Sequence, residues 1–153
     1  MVSSPIWATT GYVAVDDTHE LIVVSFKGTH NLSTMLADID IPPVDVPYCS
    51  GCQAFDGIWE CWLDAEAVVT TAVNEAVSAN PSYKILVSGH SVGAAVATLV
   101  TAQFRSSGMS VDMVGHSFSK PSILNILSSH LDRQEHVMRI SPITSRTLLL
   151  RRG

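Results

Sequence analysis

The chain has 153 residues, of which 46% are hydrophobic, and its formal net charge is −5. This composition excludes a disordered chain and supplies enough apolar surface for one globular domain. The few, scattered basic residues argue against a nucleic-acid partner, and no apolar run reaches the roughly eighteen residues of a transmembrane segment. At the start, Met1–Pro5 lack the charged and apolar regions of a signal peptide, which indicates either an intracellular protein or a missing native N-terminus.

Two β-rich runs, Thr10–Val15 and Leu21–Lys27, flank a polar turn and predict a β-hairpin. The second run ends in Gly28–Asn31, and loops that leave strand ends often carry function. Apolar residues then recur at the i, i+3, i+4 and i+7 spacing of a short amphipathic helix, which can either pack on the core or cover a site. The residues of this stripe are Leu32, Met35, Leu36 and Ile39.

The next segment, Ile41–Tyr48, contains three prolines and is predicted to be an extended connector. It leads to a C-x-x-C pair, Cys49 and Cys52, which can be a redox site, half of a zinc site or a short disulfide. We favour the disulfide for two reasons. Cys61 alone does not complete a zinc site. A redox pair normally opens a helix in a βαβ unit, whereas this pair follows a proline-rich segment. Cys61 is then expected to pack as a small hydrophobic residue. A disulfide would indicate an oxidising compartment.

An apolar helical face predicts a long helix from about Trp59 to Ala79, which Asn80 and Pro81 end. Next comes a short apolar run, Ile85–Val87, typical of a strand that is buried on both faces. The pattern G-x-S-x-G follows at Gly89–Gly93, and the small apolar residues after it predict a helix packed closely on a sheet. This order of strand, helix, strand, turn and helix predicts an α/β sandwich.

Ser91, at the centre of that pattern, has the setting of a nucleophile. A serine hydroxyl is a weak nucleophile, so it must be oriented and served by a base. A sharp strand-to-helix turn holds such a serine above the sheet edge. The N–H of Val92, at the positive start of the helix, can supply half of an oxyanion hole. The alternative is a glycine-rich turn whose serine only caps the helix.

After the helix, Val111–Val114 is predicted to be one more buried strand, and beyond it the pattern decays into scattered Ser, Arg and Leu. Taken together, the motifs resemble those of the fungal class 3 lipases, secreted triacylglycerol lipases whose relatives include feruloyl esterases. The resemblance covers about Thr10 to Met113. The motifs that carry it are Ile22–Thr29, Cys49–Cys52, Asp56–Gly57 and Gly89–Ala95.

The resemblance implies an α/β protein with the α/β-hydrolase fold of the fungal lipase type, incomplete at both ends. It divides the chain into a partial lipase domain, residues 1–114, and a divergent tail of uncertain structure, residues 115–153. It also implies a disulfide between Cys49 and Cys52. The implied location is extracellular, since the family is secreted.

The resemblance further implies a carboxylic ester hydrolase that works through an acyl-serine, with Ser91 as the nucleophile and with Val92 and Thr29 as the oxyanion donors. It makes Leu32–Ile39 a lid over an acyl-binding groove, although the family commonly has a tryptophan where this lid has Met35. The implied substrate is a lipid or other ester, met at a lipid–water interface. No metal or organic cofactor is implied.

The tail departs from the family pattern in three places. Gly115–Ser122 does not match the family's Tyr-Gly-x-Pro-Arg-Val-Gly-Asn stretch, and Ser141–Arg146 holds no acid where the catalytic aspartate is expected. The expected position of the catalytic histidine lies beyond Gly153. The tail is either a genuine shorter variant or a sequence read in a wrong frame or from a retained intron. We therefore expect an ester hydrolase that is impaired because the Asp and His of the triad are missing; the alternative is a catalytically silent lipid-binding remnant.

Overall fold

The computed structural model describes residues 10–28, 43–116 and 146–150. Two predicted features, the Thr29 donor and the lid helix at Leu32–Ile39, lie outside the described residues. Most of the divergent tail, residues 117–145, lies outside them as well.

The predicted hairpin is confirmed. Strand β1 (Gly11–Asp16) pairs antiparallel with strand β2 (Leu21–Phe26), and Val13 lies opposite Val24. β-branched residues suit this pleated, buried surface, and Ile22 and Val24 are almost fully buried. The polar turn between the strands therefore sits where the sequence places it.

A five-stranded mixed sheet forms around this hairpin, in the order β6-β5-β2-β1-β7. Strands β5 (Lys84–His90) and β6 (Val111–His116) extend it in parallel with β2. The predicted strand after the second helix thus continues two residues beyond Val114. Strand β7 (Arg146–Leu150), which the sequence pattern did not predict, pairs antiparallel with β1 at the opposite edge.

A second, two-stranded sheet occupies the segment that was predicted to be only a connector. Strand β3 (Pro43–Asp45) pairs antiparallel with strand β4 (Gln53–Phe55). Proline is tolerated here because it stands at the first position of a short strand. The turn between these strands contains the expected disulfide, which joins Cys49 to Cys52 with the two Cα atoms 5.3 Å apart.

Two helices pack on one face of the large sheet. Helix α1 (Asp56–Ala79) begins three residues before the predicted start and ends at Ala79, as predicted, with Asn80 as its C-cap. Helix α2 (Val92–Ser106) follows β5 directly. Both helices join the sheet in one apolar core, in which Trp62 and Phe104 are at most 1% exposed. Burial of each side chain of this kind contributes about 1.5–3 kcal/mol, so this core fixes α2 against the sheet.

Successive side chains of a strand point to opposite faces of the sheet, so every second residue faces away from the helices. There Leu21, Val23 and Leu86 form a smaller buried cluster. Strand β5 is therefore buried on both faces, as its continuous apolar run predicts.

Candidate active site

Ser91 lies between the last residue of β5 and the first residue of α2, with φ 57° and ψ −123°. Residues with a side chain rarely adopt a positive φ, because the Cβ atom crowds the backbone. Among the described residues, Glu20 is the only other non-glycine residue with a positive φ. The strand-to-helix turn predicted from G-x-S-x-G is present, and its backbone is strained at the serine.

The two glycines of the pattern let the backbone fold back on itself around Ser91. A Cβ atom on Gly89 would collide with the backbone of Gly93, and one on Gly93 would collide with the backbone of Phe26. Only glycine fits such close approaches. The turn therefore depends on both glycines, and it is packed against the carboxyl end of β2.

Gly28 brings the loop that follows β2 alongside the serine. A Cβ atom on Gly28 would lie 2.6 Å from the carbonyl oxygen of His90 and 3.2 Å from the Cβ atom of Ser91. The backbone of residue 28 is thus in close contact with the turn. Thr29, the predicted second oxyanion donor, follows Gly28 in sequence but lies outside the described residues.

The hydroxyl of Ser91 does not cap helix α2, although Ser91 occupies the N-cap position. Ser91 is 9% exposed, and within the described part of the chain its Oγ atom has no hydrogen-bond partner. A capping serine would accept a bond from an N–H of the first helical turn. The geometry therefore argues against the alternative in which Ser91 is only a helix cap.

The N-terminus of helix α2 lies directly after the serine. The N–H groups of Ala94 and Ala95 donate to the carbonyl oxygen of Ser91, at 2.9 and 3.3 Å. Val92 is the first helical residue, and N–H groups at that position have no intrahelical partner. The helix dipole makes this end positive. An anion at the serine would therefore be stabilised by the start of α2.

The parallel strands bring further residues to the same edge of the sheet. Phe26, Gly89 and Gly115 are in register at the carboxyl ends of β2, β5 and β6, and His90 pairs with His116 one residue later. His90 is exposed.

No group of three or more His, Cys, Asp or Glu residues in the described ranges could hold a metal ion. None of the helices in those ranges is long and apolar enough to span a bilayer.

A cluster of polar side chains joins the β3–β4 turn, which contains the disulfide, to both helices. The hydroxyl of Tyr48 donates to Oε1 of Gln103 at 2.7 Å, and the indole N–H of Trp62 is shared between Tyr48 Oη at 2.9 Å and Gln103 Oε1 at 2.6 Å. Gln103 Nε2 donates to Glu66 at 2.7 Å. Burial raises the pKa of Tyr48, so its phenol stays protonated and can donate. Sequence patterns did not reveal this cluster.

At the opposite end of the sheet, the β1–β2 turn is closed by Asp16. Its carboxylate accepts bonds from the backbone N–H groups of Thr18 and His19, and from His19 Nδ1 at 2.7 Å. The side-chain bond to His19 is the main cause that lowers the pKa of Asp16. Asp16 is 2% exposed, so this turn depends on an ionised carboxylate.

Comparison with known proteins places this geometry in a family. The sequence model described as Lipase (class 3) matches residues 23–143, well over half of the chain, and its match reaches into the divergent tail. The chain is 37% identical over 105 residues to secreted mono- and diacylglycerol lipase A of Penicillium cyclopium, covering 69% of this chain and 34% of the relative. It is 33% identical over 128 residues to secreted mono- and diacylglycerol lipase 1 of Fusarium solani, covering 82% and 38%.

The structural comparison agrees. The crystal structure of mono- and diacylglycerol lipase from Aspergillus oryzae superposes with a TM-score of 0.66 and 34% identity, over 72% of this chain and 41% of that one. The chain spans little more than a third of the length of the curated relatives it matches. Its sheet and two helices form part of the α/β-hydrolase fold of fungal lipases, and the chain belongs to the class 3 lipase family.

Proposed function

We propose that this chain carries the nucleophile of a carboxylic ester hydrolase of the lipase type. In the proposed reaction Ser91 Oγ bonds to the ester carbonyl carbon, and the resulting oxyanion accepts hydrogen bonds from the N–H groups of Val92 and Thr29. The bond to the alcohol then breaks, the alcohol leaves with the proton of the serine, and water hydrolyses the acyl-serine. The names of the relatives support an acylglycerol as the substrate class.

One observation carries this proposal: the strained backbone of Ser91 combined with a hydroxyl that caps nothing. A strained residue persists only where the surrounding structure imposes it, and such residues cluster at functional sites. The collisions that a Cβ atom would meet at Gly89 and Gly93 provide that constraint here. A turn of structural value alone would be served better by glycine or by a capping serine.

We propose that the lid at Leu32–Ile39 covers an acyl-binding groove and that the protein works at a lipid–water interface outside the cell. Two observations support the extracellular location. The relatives are named as secreted lipases, and the Cys49–Cys52 disulfide forms and persists in oxidising compartments.

We further propose that the 153-residue chain turns esters over only weakly. Ser141–Arg146 contains no acid where the family has its catalytic aspartate. An unassisted serine is a poor nucleophile because a base must take its proton. Enzymes that lack their triad retain about 10³–10⁴-fold over water while they lose around 10⁶-fold of the full rate.

Rescue of the missing base by imidazole tests this proposal. Hydrolysis of a short p-nitrophenyl ester should be barely detectable for the wild type, and Ser91→Ala should change it little. Added imidazole should then raise the rate of the wild type well above that of Ser91→Ala, which corrects for imidazole's own reaction with the ester. Ser88→Ala, a matched change on β5, should respond like the wild type. Turnover of the order of 10 per second without imidazole, lost in Ser91→Ala, would instead mean that the tail supplies a base.

A catalytically silent lipid-binding remnant is the second candidate, and one observation favours it: Ser141–Arg146 contains no acid where the family has its catalytic aspartate. The same experiment separates the two. If imidazole accelerates hydrolysis equally in the wild type and in Ser91→Ala, the serine takes no part and the remnant is supported. Lipid binding would then be the activity to measure, by sedimentation of the chain with acylglycerol-containing vesicles.

A further inference from the structure

Tyr48 links three parts of the described structure. It precedes Cys49 in the β3–β4 turn, its hydroxyl bonds to Gln103 on α2, and the indole N–H of Trp62 on α1 bonds to the same hydroxyl. Its ring also packs edge-on against Trp59, with the ring centroids 5.7 Å apart. One side chain from the turn thus touches both helices.

The disulfide holds the backbone from which Tyr48 projects. The bond between Cys49 and Cys52 closes the turn, in which the N–H of Cys52 donates to the carbonyl oxygen of Cys49 and the N–H of Val46 donates to that of Cys52. Val46 and Cys52 are 4% and 6% exposed, so both ends of the turn are fixed in the core. With the disulfide intact, little backbone freedom remains at Tyr48.

We propose that the Cys49–Cys52 disulfide and Tyr48 form a redox-sensitive latch on the helix pair α1–α2. A dithiol reductant would transfer two electrons and two protons, giving two cysteine thiols and leaving the reductant as a disulfide. The turn then gains conformational freedom, and the Tyr48 hydroxyl must be ordered again each time it bonds to Gln103 and Trp62. Helix α2 starts at Val92, directly after Ser91, so the state of the latch affects the helix that follows the serine. This proposal does not depend on the proposed ester hydrolysis.

The latch predicts a measurable coupling between the disulfide and one hydroxyl group. In a small loop a disulfide contributes little by chain entropy alone. If the disulfide acts through Tyr48, the losses in free energy of unfolding caused by removing the disulfide and by removing the hydroxyl should not be additive. We expect a coupling of about fivefold in the unfolding equilibrium constant, which corresponds to the ~1 kcal/mol of one hydrogen bond.

A double-mutant cycle measures this coupling in the full chain. The four proteins are the wild type, Tyr48→Phe, Cys49→Ser/Cys52→Ser and the combination, each unfolded in urea. Tyr48→Phe keeps the ring contact with Trp59 and removes only the hydroxyl. Tyr83→Phe is the matched control, because its hydroxyl bonds to Asp17 at 3.2 Å in the distant β1–β2 turn. Additive effects for Tyr48, like those expected for Tyr83, would overturn the latch.

Hydrogen exchange gives an answer even if a variant does not fold. A dithiol added to the folded wild type should increase amide exchange in the peptide that contains Gln103 as well as in the β3–β4 turn. Exchange in the β1–β2 turn should stay the same. An increase confined to the β3–β4 turn would mean that the disulfide acts only locally, and the proposal would be wrong.

Discussion

Replacing Ser91 by glycine should stabilise the protein while removing the proposed nucleophile. Ser91 has φ 57° and ψ −123°, and its Oγ atom is buried without a partner among the described residues. Glycine adopts positive φ without the crowding that a Cβ atom causes. A residue selected for stability alone would therefore not be serine.

The magnitude follows from three terms. Relief of the positive-φ strain contributes about 1–2 kcal/mol, and removal of an unsatisfied buried hydroxyl adds to it. The greater flexibility of glycine in the unfolded chain costs about 0.5–1 kcal/mol. The net effect is a stabilisation of about 1 kcal/mol, which raises the Tm of a chain of this size by roughly 2–4 °C.

Thermal unfolding followed by circular dichroism measures this shift. Ser88→Gly is the matched control, because Ser88 is the same residue type in the regular part of β5. There glycine should lower stability by about 0.5–1 kcal/mol. If Ser91→Gly lowers the Tm as Ser88→Gly does, the backbone at Ser91 is not strained and serine is not held there against its conformational preference.

Three further predictions concern stability. Gly93→Ala should abolish soluble folded protein, because a Cβ atom at residue 93 would collide with backbone atoms. In the control Gly108→Ala the new Cβ atom meets nothing within 4 Å and should cost only about 1–2 kcal/mol of positive-φ strain. Comparable thermal melts of the two variants would contradict this prediction. Bonds from His19 lower the pKa of Asp16, so the stability they contribute should be present above about pH 4 and be lost as the pH falls through the folded-state pKa. Asp16→Asn should therefore lose less stability in acid than the wild type, as measured by urea unfolding. Equal losses in the two proteins would count against this prediction. Strand β6 is an edge of the described sheet, so low soluble yield and strong binding of a hydrophobic dye are expected; a monomer with a sharp melt and no dye binding would oppose this.

The local elements were predictable from sequence because each has its own pattern. The hairpin at Gly11–Phe26 follows from two β-rich runs, and the turn at Ser91 follows from an apolar run, two glycines and a helix of small residues. The start of helix α1 was placed three residues late because the apolar pattern becomes visible only from Trp59, while Gly57 argues against a helix.

The missed features depend on contacts between distant residues. Strand β7 pairs with β1, more than a hundred residues earlier in the chain, and its short apolar run gives no sign of that partner. The prolines before Tyr48 argued for a connector, although β4 supplies a partner strand for β3. The Tyr48–Gln103 bond joins residues 55 positions apart, and no periodicity carries such information.

For the site, the sequence placed Ser91 and Val92 on the turn that the structure has. It could not specify which residues touch the serine hydroxyl, because those contacts depend on how separate segments pack. The roles of Ser91, Val92, Thr29 and the lid therefore stay predictions. The collision of a Cβ atom on Gly28 with the turn is the structural feature that best supports the role of the following residue, Thr29.

Labelling by a fluorophosphonate tests the central claim, that the fold presents Ser91 as an oriented nucleophile. The probe phosphonylates a serine hydroxyl, and mass spectrometry identifies the modified residue. We expect adduct at Ser91 and at no other serine of the folded chain, formed slowly without imidazole and faster with it, and lost after denaturation in urea. Absence of Ser91 adduct in the folded protein, or the same adduct pattern before and after denaturation, would contradict the account.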